Sequence, residues 1–310
     1  MRIATFRTGG RERLGVVRGE QMVDVALAAE RLGRGDLAGA TSGMLALIAG
    51  GDEALAALAE VAEQAPDDTL LPLETVELLA PIPRPRKNVL CVGRNYAEHA
   101  AESLRAIGQE VKLPQFPNIF TKAVTAVTGP ASDIVIDPAV SERIDWEVEL
   151  AAIIGPGGRG ISRDEAMGHV WGYTILNDVS ARDLQNRPGV QWFIGKSLDG
   201  SCPMGPWIVT ADELCDPTNL RLRLLVNGVV KQVDTTAHMI FDIPMLLADI
   251  SRGMTLEPGD ILATGTPAGV GFARTPPEFL RPGDLMESEI EGIGAMRNHV
   301  VAAKGATAGG

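Results

Sequence analysis

The pattern of hydrophobic and polar positions predicts mostly β-strands from residue 88 onward, and one of these strands carries acidic residues inside an apolar run. Residues 144–155, with the sequence IDWEVELAAIIG, stay apolar after the acids and stop at a glycine-rich turn. Side chains alternate across a strand, so Glu147 and Glu149 point to the same side, opposite Val148. The apolar run predicts a strand that is covered on both faces, which places both carboxylates away from water.

This pair of acids is a candidate metal site. Two adjacent negative charges in an apolar strand repel each other and lose hydration, and a cation between them would relieve both effects. Carboxylates without a nearby His or Cys suit a hard ion such as Mg²⁺, Mn²⁺ or Ca²⁺. The alternative is a strand with one solvated face, against which the apolar continuation through Ile154 counts. Asp178 follows the next predicted strand and is either a third ligand or the cap of a short helix.

The first 80 residues differ in pattern from the rest. Short alternating segments predict strands at 2–7, 14–18 and 21–25, and an alanine- and leucine-rich stretch with helical spacing covers 26–66. Three prolines within residues 81–85 prevent regular backbone hydrogen bonding and predict an extended linker. The predicted organisation is a small α+β domain at 1–80, a linker at 81–87, a catalytic domain at 88–301 and a flexible tail at 302–310.

Local signals in the second part of the chain mark the ends of several elements. Asn227 and Gly228 predict a type I′ turn in a hairpin, because both tolerate a positive φ. Ser162 and Glu165 have the spacing of a capping box and predict a short helix to about Val170. Other predicted elements are a strand at 171–177, a helix at 241–252 and a hairpin formed by 285–291 and 295–301.

Two residues of a helix predicted over residues 94–105 are candidates for acid–base chemistry. His99 and Glu102 stand at positions i and i+3 and therefore share a face. A carboxylate beside an imidazole can orient it, or the two can jointly position a water molecule. The alternative is a solvated helix that carries both residues by chance, and spacing alone favours this alternative.

Two further segments carry candidate groups for binding a ligand. Lys196 follows an apolar run and is either a surface residue at a strand end or a cation that faces a pocket. Residues 264–271, TGTPAGVG, form a loop whose backbone N–H groups can meet an anion. This loop has neither the Gly-Lys-Ser/Thr sequence nor the following helix of a P-loop.

Composition and charge argue against several classes of function. The net charge is −12 and there is no basic tract, which argues against a nucleic-acid partner. The apolar runs are too short to cross a membrane and no secretory signal is visible, so a cytoplasmic protein is expected. The three cysteines are widely spaced without a Cys-x-x-Cys pair, which argues against zinc binding or disulfides.

Several ordered motifs resemble those of the fumarylacetoacetate hydrolase family. The resemblance covers about residues 88–300, and the first 80 residues resemble the small leading domain of some longer bacterial members. Each motif alone is weak evidence, whereas their joint order is specific. The motifs are GRNYAEH at 93–99, DWEVEL at 145–150, NDVSARDLQ at 177–185, GKSLD at 195–199, PMGP at 203–206, MIF at 239–241 and PGDILATGTPAGVG at 258–271.

The resemblance implies a fold, an assembly and a set of site residues. The fold would be α+β and rich in strands, with a mixed β-roll as the catalytic domain, and the protein would be a homodimer. The metal would be Mg²⁺ or Mn²⁺, and the catalytic pair would lie on a segment that acts as a lid in relatives. The implied residues are Glu147, Glu149 and Asp178 for the metal, His99, Glu102 and Lys196 for catalysis, and Arg182, Gln185, Gly265 and Thr266 for the substrate.

These features together predict a metal-dependent enzyme that acts on a small 2-oxo acid. The main hypothesis is hydrolysis of a C–C bond in a 2,4-dioxo acid, with His99 and Glu102 activating water and Lys196 holding enolate charge. A decarboxylase or tautomerase of oxaloacetate-like acids is one alternative, and an isomerase or hydratase of a dienedioate is another. A non-catalytic protein that binds metal and carboxylate is a third. Arg94 and Arg182 fit an anionic substrate, although an arginine is equally often structural.

Overall fold

The computed structural model of the chain describes residues 1–189 and 191–304. The strands are β1 (Arg2–Thr8), β2 (Arg11–Arg18), β3 (Gln21–Asp24), β4 (Leu70–Pro72), β5 (Glu77–Leu78), β6 (Val89–Gly93), β7 (Asn118–Lys122), β8 (Val127–Thr128), β9 (Ile134–Ile136), β10 (Ile144–Asp145), β11 (Val148–Ile154), β12 (Val170–Asn177), β13 (Ser180–Ala181), β14 (Cys202–Thr210), β15 (Arg221–Val226), β16 (Val229–Thr235), β17 (Ile261–Ala263), β18 (Leu285–Ile290) and β19 (Gly294–Ala302). The α-helices are α1 (Val25–Arg31), α2 (Met44–Ala49), α3 (Gly51–Gln64), α4 (Ala97–Ala106), α5 (Arg182–Gln185), α6 (Phe193–Lys196) and α7 (Ile243–Ser251).

Two mixed sheets form the body of the protein. The larger sheet has the order β4-β3-β2-β1-β14-β12-β11-β17-β6-β7, with β5 beside β1 and β8 beside β14. The second sheet has the order β16-β15-β18-β19-β9. One hydrophobic core joins them, because Leu150 of the first sheet and Leu222 of the second belong to the same buried cluster. The prediction of an α+β fold rich in strands is confirmed.

The central strands of the larger sheet position the acidic residues. Both β11 and β12 are buried along their whole length, as the apolar run predicted. The predicted single strand at 144–155 is divided, however, because β10 pairs with β13 outside the large sheet. Between β10 and β11, the N–H of Glu147 donates to the side-chain oxygen of Asn177 at 3.0 Å instead of to a strand partner.

Two of the local signals form as predicted, and one helix is shorter than predicted. Asn227 and Gly228 have φ values of 53° and 74°, the left-handed conformation that a type I′ turn requires. Ser162 Oγ accepts the N–H of Glu165 at 3.3 Å and donates to its carboxylate at 2.6 Å. The capped segment is only a 3₁₀ helix, Ala166–His169, because β12 begins at the next residue.

The first 80 residues extend the larger sheet. Strand β1 pairs with β14, with Ile3 opposite Ile208. One buried cluster also contains Leu58 of α3 and Ala151 of β11. The division of the chain at 81–87 stays a prediction, and of the predicted tail residues 305–310 lie outside the described residues. Among the helices of the described residues, every one is too short or too polar to cross a membrane.

Candidate active site

Three acidic side chains lie close together where β11 begins and β12 ends. Glu147 precedes β11, Glu149 lies within β11, and Asp178 directly follows β12. The pairing of these strands brings them together, and the N–H of Asp178 donates to the carbonyl of Glu147 at 2.8 Å. One carboxylate oxygen from each residue lies within 4.8 Å of the other two, and all three residues are buried. A buried set of three oxygen ligands can hold a hard divalent cation.

Two buried lysines contact Asp178, one at each carboxylate oxygen. Lys196 Nζ lies 2.6 Å from Asp178 Oδ2 and 2.8 Å from Glu147 Oε2. The apolar run before Lys196 forms the short helix α6, which turns the lysine inward, so the pocket-facing alternative is the one observed. Lys122, the last residue of β7, lies 2.8 Å from Asp178 Oδ1 and is completely buried. Both oxygens of Asp178 are therefore fixed by ammonium groups.

A buried arginine, Arg182, binds two of the acidic side chains around the site. Arg182 Nε donates to Asp145 at 2.8 Å, and its Nη2 forms an ion pair of 2.7 Å with Glu147 Oε1. Its Nη1 donates to Gln185 at 2.9 Å. The guanidinium also lies 4.3 Å from the ring centroid of Phe272. Arg182 is thus fixed by charge and by stacking at the same time.

The charges around the three acids are compensated unequally. Burial would raise the pKa of Glu147, but the charges of Lys196 and Arg182 outweigh it and hold this pKa well below its ordinary value. Burial, together with the charges of Asp178 and Glu147, raises the pKa of Glu149 well above its ordinary value. Burial likewise opposes the charge on Lys196, yet the same two acids raise its pKa. Within the described residues, Glu149 is the one of the three acids that forms no ion pair within 4.0 Å, which fits a site for a bound metal ion.

His99 and Glu102 lie on one face of α4, as their spacing predicted. Nδ1 of His99 is 3.1 Å from Glu102 Oε1. The same carboxylate accepts the N–H of Gly269 at 3.0 Å and that of Val270 at 3.4 Å. Because an ionised carboxylate only accepts hydrogen bonds, this contact assigns the imidazole proton to Nδ1 and leaves a lone pair on Nε2. Glu102 therefore orients His99 and fastens α4 to the glycine-rich loop.

The glycine-rich loop at 264–271 does bind anions through its N–H groups, but these anions are side chains of the protein itself. The N–H of Gly265 donates to Glu149 at 2.8 Å, and that of Gly271 donates to Asp145 at 2.7 Å. Thr266 donates its hydroxyl to the carbonyl of Val148 at 2.9 Å. Gly265 and Thr266, expected at the substrate, thus hold the acidic strand, while Thr266 also borders the cavity described next.

A small cavity, called here the inner chamber, connects these groups, with about 30 Å³ of free volume. It adjoins a wider space, the outer groove, of about 730 Å³, with which it shares the lining residues Ile107, Arg182, Asn186 and Phe272. The inner chamber is lined by Val92, Gly93, Arg94, His99, Ser103, Ile107, Phe120, Glu147, Glu149, Arg182, Gln185, Asn186, Trp192, Lys196, Thr266 and Phe272. The outer groove is lined by Ala106, Ile107, Arg143, Arg182, Asp183, Asn186, Phe272, Pro277 and Phe279. Among the described residues, seven of those implied by the sequence line the inner chamber, whereas Glu102, Asp178 and Gly265 line neither space.

Sequence reasoning missed three residues that hold the site together. Lys122 and Asp145 are charged residues inside strand patterns, and a charge in an apolar run was a signal that could have identified them. Gln232 gave no such signal. It is buried, it donates to Thr266 at 2.8 Å, and it accepts the N–H of Val148 at 3.1 Å. Its position depends on β16, a strand that is distant in sequence.

Comparison with known proteins agrees with this geometry. Residues 88–301 match the family model described as fumarylacetoacetate (FAA) hydrolase, C-terminal. The oxaloacetate tautomerase YisK of Bacillus subtilis (strain 168) is 42% identical over 307 residues, which cover 97% of this chain and 100% of that protein. A fumarylacetoacetate hydrolase structure from Exiguobacterium antarcticum is 40% identical with a TM-score of 0.81, covering 98% of this chain and 100% of that one. The maleylpyruvate hydrolase of Sphingobium sp. SYK-6, solved with manganese(II) and pyruvate, is 31% identical with a TM-score of 0.77, covering 98% and 100%.

Proposed function

The chain belongs to the fumarylacetoacetate hydrolase family, and from that premise we propose that it is a divalent-metal-dependent tautomerase of oxaloacetate-like 2-oxo acids. The observation that carries the proposal is that two groups lie together at the inner chamber, which Glu147, Glu149 and His99 line. One is the buried cluster of Glu147, Glu149 and Asp178, and the other is an imidazole whose proton is assigned to Nδ1. The first fits a metal ion that binds a 2-oxo acid, and the second fits a base that moves a proton.

The metal ion would be Mg²⁺ or Mn²⁺, held by the three buried carboxylates. When bound, it supplies a Lewis acid for the carboxylate and the 2-oxo oxygen of the substrate, which makes the protons on the adjacent carbon more acidic. Glu149 supports this assignment, because its charge lacks a cation of the protein within the described residues. The Sphingobium structure, which was solved with manganese(II) and pyruvate, agrees with the same chemistry.

The proton transfer is assigned to His99. Its Nε2 takes a proton from C3 of the keto form, and the protonated imidazole then gives the proton on Nε2 to the 2-oxygen, which forms the enol; the reverse steps return the keto form. Lys196, fixed between Glu147 and Asp178, supplies a second positive charge for the developing enolate oxygen. No bond between heavy atoms changes and no water is consumed.

The surroundings of Glu102 favour tautomerisation over hydrolysis. Its carboxylate accepts hydrogen bonds from two backbone N–H groups and faces Nδ1 of His99, so it is engaged as an orienting group. It is also absent from the lining of the inner chamber among the described residues. A carboxylate in this position assists the imidazole, as in catalytic triads, and is poorly placed to take a proton from water itself.

Hydrolysis of a 2,4-dioxo acid is the second candidate. The observation in its favour is the outer groove, whose about 730 Å³ would accommodate an acyl tail that tautomerisation of a four-carbon acid does not need. The Sphingobium relative is named as a maleylpyruvate hydrolase, which supports the same candidate. In that reaction, His99 would deprotonate a water that attacks the distal carbonyl.

The two candidates differ in their products. The purified protein with Mn²⁺ or Mg²⁺ is given enol-enriched oxaloacetate, and loss of enol absorbance is followed together with pyruvate release. A tautomerase accelerates enol loss and releases no pyruvate, whereas a decarboxylase releases pyruvate. Acetylpyruvate serves as the hydrolase substrate in parallel. Faster cleavage of acetylpyruvate than enol loss from oxaloacetate would reject the tautomerase in favour of the hydrolase.

A further inference from the structure

Arg94 is a cation of the inner chamber that the proposed mechanism does not use. Of the fixed cations that line this chamber, Arg182 and Lys196 both contact carboxylates. Within the described residues, the side chain of Arg94 has neither an ion pair within 4.0 Å nor a hydrogen bond. It is half-buried, and burial lowers its pKa. A partly desolvated guanidinium without an anion is an unfavourable arrangement unless a ligand supplies the anion.

The backbone holds Arg94 in this place at a conformational cost. Its φ is 58°, a left-handed conformation that a long side chain rarely adopts. The next residue, Asn95, fixes the turn, because its side chain donates to Thr264 at 2.7 Å and to Phe241 at 3.0 Å and accepts the N–H of Phe241 at 2.8 Å. The turn that projects Arg94 is therefore imposed by the surrounding structure.

Stacking fixes the side chain as well. The guanidinium carbon lies 5.6 Å from the ring centroid of Trp192, which also lines the inner chamber. An arginine that stacks through one face keeps its N–H groups free at the edge for planar recognition of a carboxylate. Trp192 thus orients Arg94 without neutralising it.

The net charge of the buried side chains at the site indicates which anion Arg94 would bind. The buried cluster contains four carboxylates against three cations, so a divalent ion leaves an excess of one positive charge. The carboxylate at the 2-oxo end of a substrate balances this excess, and a second carboxylate then requires a further cation. The residues counted are Asp145, Glu147, Glu149 and Asp178 against Lys122, Arg182 and Lys196.

We infer that Arg94 binds the distal carboxylate of a dicarboxylic 2-oxo acid and so selects dicarboxylates over 2-oxo acids with a neutral tail. This inference rests on the proposed function, because it takes the metal end of the chamber as the site of the 2-oxo acid group. Arg94 is a specificity-determining residue in this account, since it contacts the end of the substrate that does not react.

The test compares oxaloacetate with its 4-methyl ester, which keeps the 2-oxo acid end and lacks the distal charge. Calorimetry measures the binding of each compound to the Mn²⁺-loaded full chain, and enol absorbance measures turnover. The variants are Arg94→Met, Arg94→Lys and, as a control, Arg252→Met, at an arginine that follows α7 and is 79% exposed. Met and Lys have the same left-handed strain as Arg at this position, so folding is expected to be unaffected, and Mn²⁺ binding verifies this.

The wild type is expected to prefer oxaloacetate, and Arg94→Met is expected to weaken oxaloacetate binding about 10- to 100-fold, the usual effect of losing charged hydrogen bonds. Binding of the ester should be nearly unchanged, Arg94→Lys should restore part of the preference, and Arg252→Met should resemble the wild type. Equal losses for both compounds, no preference in the wild type, or an equal loss of the preference in Arg252→Met would each overturn the inference.

If the proposed tautomerase function is wrong, the same experiment gives a result different from the one expected if the role of Arg94 is wrong. If the wild type converts neither compound, the tautomerase proposal fails. The binding preference, and its loss in Arg94→Met, would still support Arg94 as the receptor of the distal carboxylate. Conversely, rapid turnover of both compounds with equal affinity would keep the tautomerase and reject the role of Arg94.

Discussion

Glu149, which forms no ion pair among the residues that the structure describes, should destabilise the protein when no metal is bound. We expect Glu149→Gln to raise the stability of the metal-free protein and to weaken metal binding. Glutamine has the same shape, and its side-chain oxygen can still accept the N–H of Gly265, which now donates to Glu149 at 2.8 Å. The substitution therefore removes the charge and keeps the hydrogen bond.

The magnitude follows from the spacing of the carboxylates. Two unit charges about 4.8 Å apart, the largest separation within the cluster, repel by about 3.5 kcal/mol at an effective dielectric constant of about 20. Lys122 and Lys196 already compensate Asp178, and Lys196 and Arg182 compensate Glu147, which offsets part of this repulsion. The expected gain in the free energy of unfolding is about 1–3 kcal/mol.

Thermal unfolding in the presence of EDTA measures this gain. At about 2.1 cal/mol/K of unfolding entropy per residue, a chain of 310 residues changes its Tm by roughly 1.5 °C per kcal/mol, so a rise of about 2–5 °C is expected. Added Mn²⁺ should stabilise the wild type by about 2.7 kcal/mol at one hundred times its Kd, and the variant much less at the same concentration. Glu63→Gln, on the exposed face of α3, is the control and should have little effect. A metal-free Glu149→Gln protein that is no more stable than the wild type would refute the argument.

The same prediction has a pH dependence of defined sign. Burial and the charges of Asp178 and Glu147 raise the pKa of Glu149 in the folded protein above that in the unfolded chain. At a pH below the ordinary pKa of a glutamic acid, both states are protonated, and the penalty is absent. It grows as the pH rises from that value through the raised pKa. The advantage of Glu149→Gln should therefore be small in acid and should increase towards neutral pH.

Three further predictions concern other residues of the candidate active site. His99→Ala should lower turnover of the Mn²⁺-loaded enzyme by about 10²- to 10⁴-fold, while calorimetry should find Mn²⁺ binding unchanged. If turnover decreased by less than about tenfold, His99 would not be the base. Lys122→Met should lower the free energy of unfolding by about 3–5 kcal/mol, because it removes a buried cation and leaves Oδ1 of the buried Asp178 without its ammonium partner. Lys112→Met affects an ion pair that is 76% exposed on both sides and should change this free energy little, and equal effects of the two substitutions would show that burial does not matter. Gly269→Ala should reduce turnover and make α4 exchange its amide hydrogens faster, because the φ of Gly269 is 106° and an added Cβ would overlap a backbone carbonyl. Gly253→Ala is the control, since a Cβ added there meets no atom within 4 Å. Equal protection of α4 in both variants would refute the fastening role.

Short-range periodicity was enough to identify part of the site. The two-residue period of a strand places Glu147 and Glu149 on one side, and helical spacing places His99 beside Glu102, and both relations are found in the structure. The Asn-Gly turn also formed as predicted, because its φ requirement is local. These features depend on at most a few neighbouring residues, so the sequence contains the information directly.

The exact course of the chain around the acids could not be predicted in the same way. The pattern at 144–155 predicted one strand, but the chain leaves the large sheet at Trp146 and Glu147. A side chain from another strand, Asn177, takes the N–H that a strand partner would have bonded. Hydrophobic periodicity records burial and is insensitive to which polar group receives a hydrogen bond.

The sequence by itself determined which residue types carry the chemistry and which of them are close neighbours along the chain. Only the tertiary structure decided that Asp178 lies beside Glu147, that Lys122 neutralises it across 56 positions of sequence, and that the glycine-rich loop binds the protein's own carboxylates. The physical reason is that these contacts depend on strand pairing and register. Both are set by packing of the whole sheet, because no local pattern specifies which distant strand becomes the neighbour.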